Sequence, residues 1–490
     1  MNRYSEIIKS AGTLPDYLLI DGEAVTDHLL DRIDTLDPAT GLHLTSIPAG
    51  NKQTIDQAVQ SAKRALQGPW AAMLPKQRGQ ILWDINDAIR TDIKRLALIE
   101  TLDTGKPIKD ARLSVERAAD FFRYYAGMAD KLEGTTIPLG QDKVCFTERV
   151  PIGVTGHIVP WNVPIHMVAR GLGPTLVCGN TAVVKPAEDT PISALLLVDI
   201  MHRCGLPAGV VNVVTGHGSI AGRALAEHPE VRHVTFTGSL ATGISVMKAA
   251  ADHVASVTLE LGGKSPHLIL ADADLDRAIP DILNAVFKNS GQICSAGSRL
   301  LVEKSVHSEL LKRLVETSES LKLDHGTNNP DLGPLISRKQ LDMVCGFTER
   351  AIDRGIDIAT GGKPLIIKGL ENGFFFPPTI ANNVPVTDEL ACDEVFGPLL
   401  SVIPVSSLDE AIEIGNQTEY GLAAGIHTRD ISKALRYARK IEAGQVYING
   451  YHSSGDTVPF GGMKQSGIGR EKGLAALDAY CEIKSITITL

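Results

Sequence analysis

The sequence predicts an α/β protein built on two parallel sheets with a small β appendage, and three observations predict it. Between Val154 and Leu270 short, mostly apolar, β-rich runs alternate with helix-like stretches, the grammar of βαβ units in a sheet buried on both faces. From Cys294 to about Phe460 a second such alternation follows. Two further strand-like segments, Lys131 to Val150 and Ala479 to Leu490, belong to neither core. A chain of 490 residues is also too long for one core. The expected division is residues 1–130 with 151–260 for a Rossmann-like domain, 261–465 for a second α/β domain, and 131–150 with 478–490 for the appendage.

Taken in order, the strands of the first region read VTGHIV, TAVVKP, VVNVVTG, VRHVTFTG, SVTLEL and PHLILA. Stretches such as ISALLLVDIMHRCG and LATGISVMKAAADH between them carry helical spacing. A nucleotide site at the carboxyl ends of such strands is the usual consequence. In the second region RLLVE and LLSVIPV read as strands and HSELLKRLVETSESL as a helix.

Composition excludes several classes of function. A hydrophobic content of 43% with 21% charged residues is that of an ordinary globular protein. A net charge of −9 leaves no basic footprint for nucleic acid or an anionic membrane. The seven cysteines are scattered, with no Cys-x-x-Cys spacing, so neither a metal site nor a disulfide framework is indicated. The first residues lack an apolar run of signal-peptide length, and no segment approaches the roughly 20 apolar residues of a membrane span. A reducing, cytoplasmic location is the expectation.

The chemistry centres on FKNSGQICSAGSR, where Cys294 stands among small residues, as expected where a substrate and a cofactor ring must both approach a sulfur. A lone thiol with a possible base elsewhere, here Glu260 of LELGGKSP, is a candidate nucleophile; the competing reading is a buried structural cysteine. GHGSIAG, from Gly216 to Gly222, has one residue too many for a dinucleotide fingerprint and reads equally as a closely packed helix start. In FTGSLATG, Gly238 and Ser239 follow a strand and open a helix, where backbone N–H groups attract phosphate.

FKNSGQICSAGSR and VTLELGGKSP, together with VPWNVP, VVKPAEDTP, VTFTGS, DEVFGPLL and VPFGGMKQSGIGRE, which match in that order along the chain, resemble the NAD(P)-dependent aldehyde dehydrogenase superfamily, from about Tyr17 to the last residues. The resemblance implies an oxidoreductase in which the Cys294 thiolate attacks an aldehyde, Asn162 and the Cys294 N–H receive the oxyanion, and Glu260 activates the water that hydrolyses a thioester. It implies NAD contacts from Trp161, Lys185, Glu188, Gly216, Gly238, Ser239, Leu261, Glu394 and Phe396, and counts Lys185 with the catalytic residues too. A carboxylate at Glu188 accepts from a ribose hydroxyl but repels a 2′-phosphate, which favours NAD over NADP. By residue type alone, Lys185 and Glu188 read as a solvated rim and Asn162 as a turn residue. The appendage becomes an oligomerisation arm, giving a homodimer or homotetramer.

Where many relatives line the tunnel above the cysteine with aromatic rings, this chain keeps Phe460 but has Val163, Ser454 and Arg170. Asn162, His166 and Arg170 follow at i, i+4 and i+8 and can share one helix face. Arg170 resembles the arginine of succinate-semialdehyde-type members, and with His166 and Ser454 suits a polar or carboxylate-bearing aldehyde; a surface or subunit-interface arginine is the competing reading. Two other functions stay open: a CoA-acylating semialdehyde dehydrogenase, against which Glu260 counts, and a non-catalytic structural or binding member of the same fold, against which the intact Cys294, Asn162, Glu260 and Glu394 count. No metal is expected.

Overall fold

The computed structural model describes residues 3–490; residues 1 and 2 of the expected first domain lie outside the described residues. Two large α/β sheets dominate. The first has eight strands in the order Gly467–Ile468, Ser256–Glu260, Val231–Thr237, Val154–Ile158, Thr181–Lys185, Val211–Val213, Leu18–Ile20 and Glu23–Val25. The five strands from Ser256–Glu260 to Val211–Val213 are mutually parallel, and antiparallel strands close both edges. The middle strands are buried along their length, which explains their mostly apolar runs. Helices such as Pro164–Val177 and Ile192–Arg203 cover them.

The second sheet has seven strands, ordered Asp357–Thr360, Thr379–Asn382, Leu399–Val405, Arg299–Glu303, Pro266–Ile269, Ala423–His427 and Gln445–Ile448. All are parallel except the first. PHLILA therefore joins this sheet and does not continue the five parallel strands before it. The link 261–265 between Glu260 and Pro266 is too short for a parallel crossover, which takes a dozen or more residues. The chain passes there from one sheet to the other.

A three-stranded sheet, ordered Cys481–Thr489, Lys143–Pro151 and Thr136–Ile137, stands apart from both cores. Its strands are largely exposed, with apolar Ile137, Val144, Ile483 and Ile488 open to solvent. A two-stranded sheet, Arg32–Leu36 with His43–Pro48, lies near the start of the chain. Among the described residues no helix is long and apolar enough to cross a membrane.

Candidate active site

Cys294 lies on the loop between helix Leu275–Phe287 and strand Arg299–Glu303. Just before it Asn289, Ser290 and Gly291 all take left-handed backbone angles, φ 51°, 55° and 75°. A methyl group at Gly291 would stand 2.1 Å from the Gly397 carbonyl oxygen, so only glycine fits. Side chains hold the two non-glycine positions in this costly conformation. Asn289 Nδ2 donates to the carbonyls of Asn162 (3.1 Å) and Gln292 (3.3 Å), and Ser290 Oγ donates to Gly333 O at 2.8 Å. Burial pushes the Cys294 thiol up to about 12, the Glu394 and Glu260 carboxylates add to this, and Arg170 opposes it. At neutral pH the sulfur holds its proton.

Asn162 stands one residue before the cap, Val163, of helix Pro164–Val177, whose Pro164 takes a first-turn position where a missing N–H costs nothing. Its Nδ2 donates to Gln292 O at 2.9 Å, two residues from the thiol. Buried Lys106 fixes it from behind, with Nζ 3.0 Å from both Asn162 O and Glu100 Oε1. Glu260 ends strand Ser256–Glu260 with its carboxyl group buried and neither oxygen hydrogen-bonded. Burial lifts this acid well above the usual carboxylate range, against the pull of Arg170. Asn162, Glu260 and Cys294 line one cavity of about 490 Å³.

Trp161 and Phe396 line the same cavity edge to face, their ring centroids 5.2 Å apart. Glu394 accepts from the Gly263 N–H at 3.2 Å, and burial raises it to about 7. A Cβ at Gly262 would come within 2.1 Å of Glu394 Oε2, so glycine there leaves the carboxylate its room. Ser239 caps helix Leu240–Ala251, accepting from Thr242 N at 3.4 Å. The Gly238 N–H, expected to face an anion, instead donates to Glu260 O at 3.0 Å. Leu261 is buried, and a Cβ at Gly243 of the capped helix would meet its side chain at 2.4 Å. Lys185 Nζ lies 3.0 Å from Glu188 Oε2, and Glu188 Oε1 accepts from Gly218 N at 3.4 Å. Lys185 thus stands with Glu188 and the Gly216–Gly218 turn, not among the residues lining the cavity around the thiol.

On the substrate side the structure brings Asn162, His166, Arg170, Ser454 and Phe460 together around the cavity. His166 packs edge-on against Phe121 at 5.1 Å, and burial pushes its ring well below the usual histidine range. Arg170 is buried, ion-paired with Glu471, 3.6 Å from Glu260 and stacked 4.7 Å from the centre of Phe460. Its charge is shared by two carboxylates of the protein, because the helix carries it toward the loop after Phe460 and not into open space. The role of receiving a substrate carboxylate, expected from helical spacing, has no free charge there to carry it.

Sequence reasoning passed over Arg117 and Lys472, which line the same cavity. Among the described residues neither has an ion-pair partner, whereas Lys288 stands 3.9 Å from Asp110. Burial lowers Lys472 to about 8, with Arg170 adding to the effect. Its Nζ lies 5.3 Å from the Phe460 ring, opposite in role to a paired lysine. The available signal for Lys472 was its place directly after VPFGGMKQSGIGRE; nothing in the sequence singled out Arg117.

The aldehyde dehydrogenase family model matches residues 25–486. An aldehyde dehydrogenase of Aspergillus niger is 40% identical over 471 residues, 96% of this chain and 94% of its own. The solved NAD+ complex of betaine aldehyde dehydrogenase from Staphylococcus aureus superposes with TM-score 0.97 at 35% identity, covering 99% of this chain and 97% of that one. That of an aldehyde dehydrogenase from Bacillus cereus gives 0.95 at 38%, covering 100% and 99%. The chain belongs to the aldehyde dehydrogenase family.

Proposed function

We propose that the protein oxidises an aldehyde to a carboxylic acid with NAD as acceptor, through a thiohemiacetal and then a thioester on Cys294. The observation that carries this reading is the meeting of Cys294, Asn162 and Glu260 around one cavity whose other wall is Trp161, Phe396 and Glu394. The residues present fit NAD: a carboxylate at Glu188 suits a free ribose 2′-hydroxyl, a serine-capped helix suits a pyrophosphate, and Glu394 is kept clear by Gly262. When bound, NAD supplies the acceptor for the hydride leaving the substrate carbon.

Cys294 gives its proton to solvent in the cavity, its sulfur bonds to the carbonyl carbon as the C=O π pair moves onto oxygen, and the resulting oxyanion is met by the Asn162 amide and the Cys294 N–H. Asn289 and Lys106 hold Asn162 still while this charge forms. Once the carbon is at the thioester level, Glu260 takes a proton from water, the oxygen attacks, and the thiolate leaves with release of the acid. Arg170 is the counter-ion that lets so buried a carboxyl group give up its own proton first.

For the substrate, the unpaired Arg117 and Lys472 support an aldehyde with a polar or anionic far end. The test is NADH formation from a panel pairing neutral aldehydes with ω-carboxylated ones of equal length, with and without CoA. We expect turnover independent of CoA. A strict need for CoA would favour an acylating enzyme, and no NADH from any aldehyde would favour a binding protein. In Glu260→Gln an initial burst of NADH close to one per site, followed by slow turnover, is expected; unchanged turnover with no burst would remove Glu260 from the role of base.

A further inference from the structure

A second group of chemically capable side chains lies outside the aldehyde cavity. His267, on strand Pro266–Ile269, and His427, ending the neighbouring parallel strand Ala423–His427, project toward Asp281 of helix Leu275–Phe287. One ligand atom from each lies within 4.8 Å of the others. His427 Nε2 is 2.8 Å from Asp281 Oδ2, and His267 Nε2 is 4.0 Å from the same oxygen. His267 is only 1% exposed, yet neither of its ring nitrogens has a hydrogen-bond partner. A buried imidazole left this way is costly unless something else satisfies it. Space beside it is kept by Gly425, where a Cβ would stand 2.9 Å from the His267 ring.

We propose that His267, Asp281 and His427 form a site for a divalent transition-metal ion of the Zn²⁺ type, with water completing the coordination. Two imidazoles and one carboxylate are a donor set such ions favour. Tetrahedral zinc places its ligand atoms about 3.3 Å apart, so the 2.8 Å and 4.0 Å separations each need change by only a fraction of an ångström. His427 and Arg277, one turn before Asp281, line a surface cavity of about 290 Å³ that offers a way in. Arg429, also on its wall, is 3.8 Å from Asp274 and so partly neutralised. The three ligands lie far apart in sequence, which is why spacing did not indicate them.

The ion would also be felt at the nucleophile. Both Asp281 oxygens accept from Tyr451 N (2.9 and 2.7 Å), and Tyr451 OH donates at 3.0 Å to the carbonyl of Ser295, the residue after Cys294.

The test uses full-length Cys294→Ala, so that the active-site thiol cannot hold the ion, with Zn²⁺ counted per chain after dialysis and Co²⁺ followed by visible absorption. One Zn²⁺ per chain is expected, with strong tetrahedral cobalt bands and no sulfur-to-metal band. Adding His267→Gln or His427→Gln should weaken binding about a hundredfold or more while the metal-free melting curve stays near that of the parent. Should either variant fail to fold, the cobalt spectrum of Cys294→Ala decides alone. Binding unaffected by both substitutions, weak octahedral bands, a sulfur-to-metal band, or no bound ion would each overturn the assignment.

Discussion

Arg170 shows how far one side chain's meaning depends on its neighbours. Held between Glu471 and Glu260, it stabilises the ionised form of a base that burial otherwise keeps protonated. A base works only after losing its proton, so the water-activating step should quicken as pH rises through the raised Glu260 value. Replacing Arg170 by leucine removes the counter-ion, and the rising limb of the pH–rate profile should move to higher pH, equally for neutral and carboxylated aldehydes. A change confined to KM for the carboxylated substrate would return Arg170 to substrate binding. Leaving Glu471 buried without its partner should also cost about 3–5 kcal/mol of stability, visible in thermal melts. Arg117→Leu should do the reverse: KM for the carboxylated aldehyde should rise about tenfold or more, as expected for losing a charge-assisted contact, with neutral aldehydes unaffected. At Cys294, a thiol pushed to about 12 exists as thiolate only in trace at neutral pH. Its alkylation in the free enzyme, read by mass on its own peptide, should quicken about tenfold per pH unit from 7 to 9. A plateau near pH 7 would mean that the resting sulfur is already ionised.

Among the elements, the strands of the parallel sheets were the most readable, because burial on both faces favours short, apolar-rich, β-branched runs such as TAVVK and VRHVTFT. Hairpin-like edges and the assignment of PHLILA to one sheet or the other were not, since strand character says nothing of which neighbour a strand finds. The three-stranded arm follows a different rule. One face carries Val144 opposite Ile488 and Phe146 opposite Ile486, an apolar ladder on a sheet with little protein behind it. Such a ladder suits contact with another subunit. Val144→Glu with Ile488→Glu should reduce the mass seen by light scattering while the melting temperature of the chain's own cores changes little. An unchanged mass would place the subunit contact elsewhere.

At the scale of the molecule, the motif residues Cys294, Asn162, Glu260 and Glu394 were legible because their types and order are distinctive, and the cavity brings all four together. Lys106 and the ion-paired state of Arg170 were not legible, since each depends on a partner distant in the chain, and Arg117 was not, since only the fold brings it to the cavity wall. Glu471 is the clearest case: it lay within a recognised motif, but only the fold reveals that it neutralises an arginine three hundred residues earlier. The same C-terminal stretch supplies strand Gly467–Ile468, which pairs with Leu259 and Glu260 at the edge of the first sheet. It also supplies the wall residue Lys472. The base is therefore finished by residues that are synthesised well after both it and the thiol. A nascent chain already holding the thiol and most of both sheets has its nucleophile before the setting of its base is complete, so the step that frees the thioester is the last part of the site to be assembled.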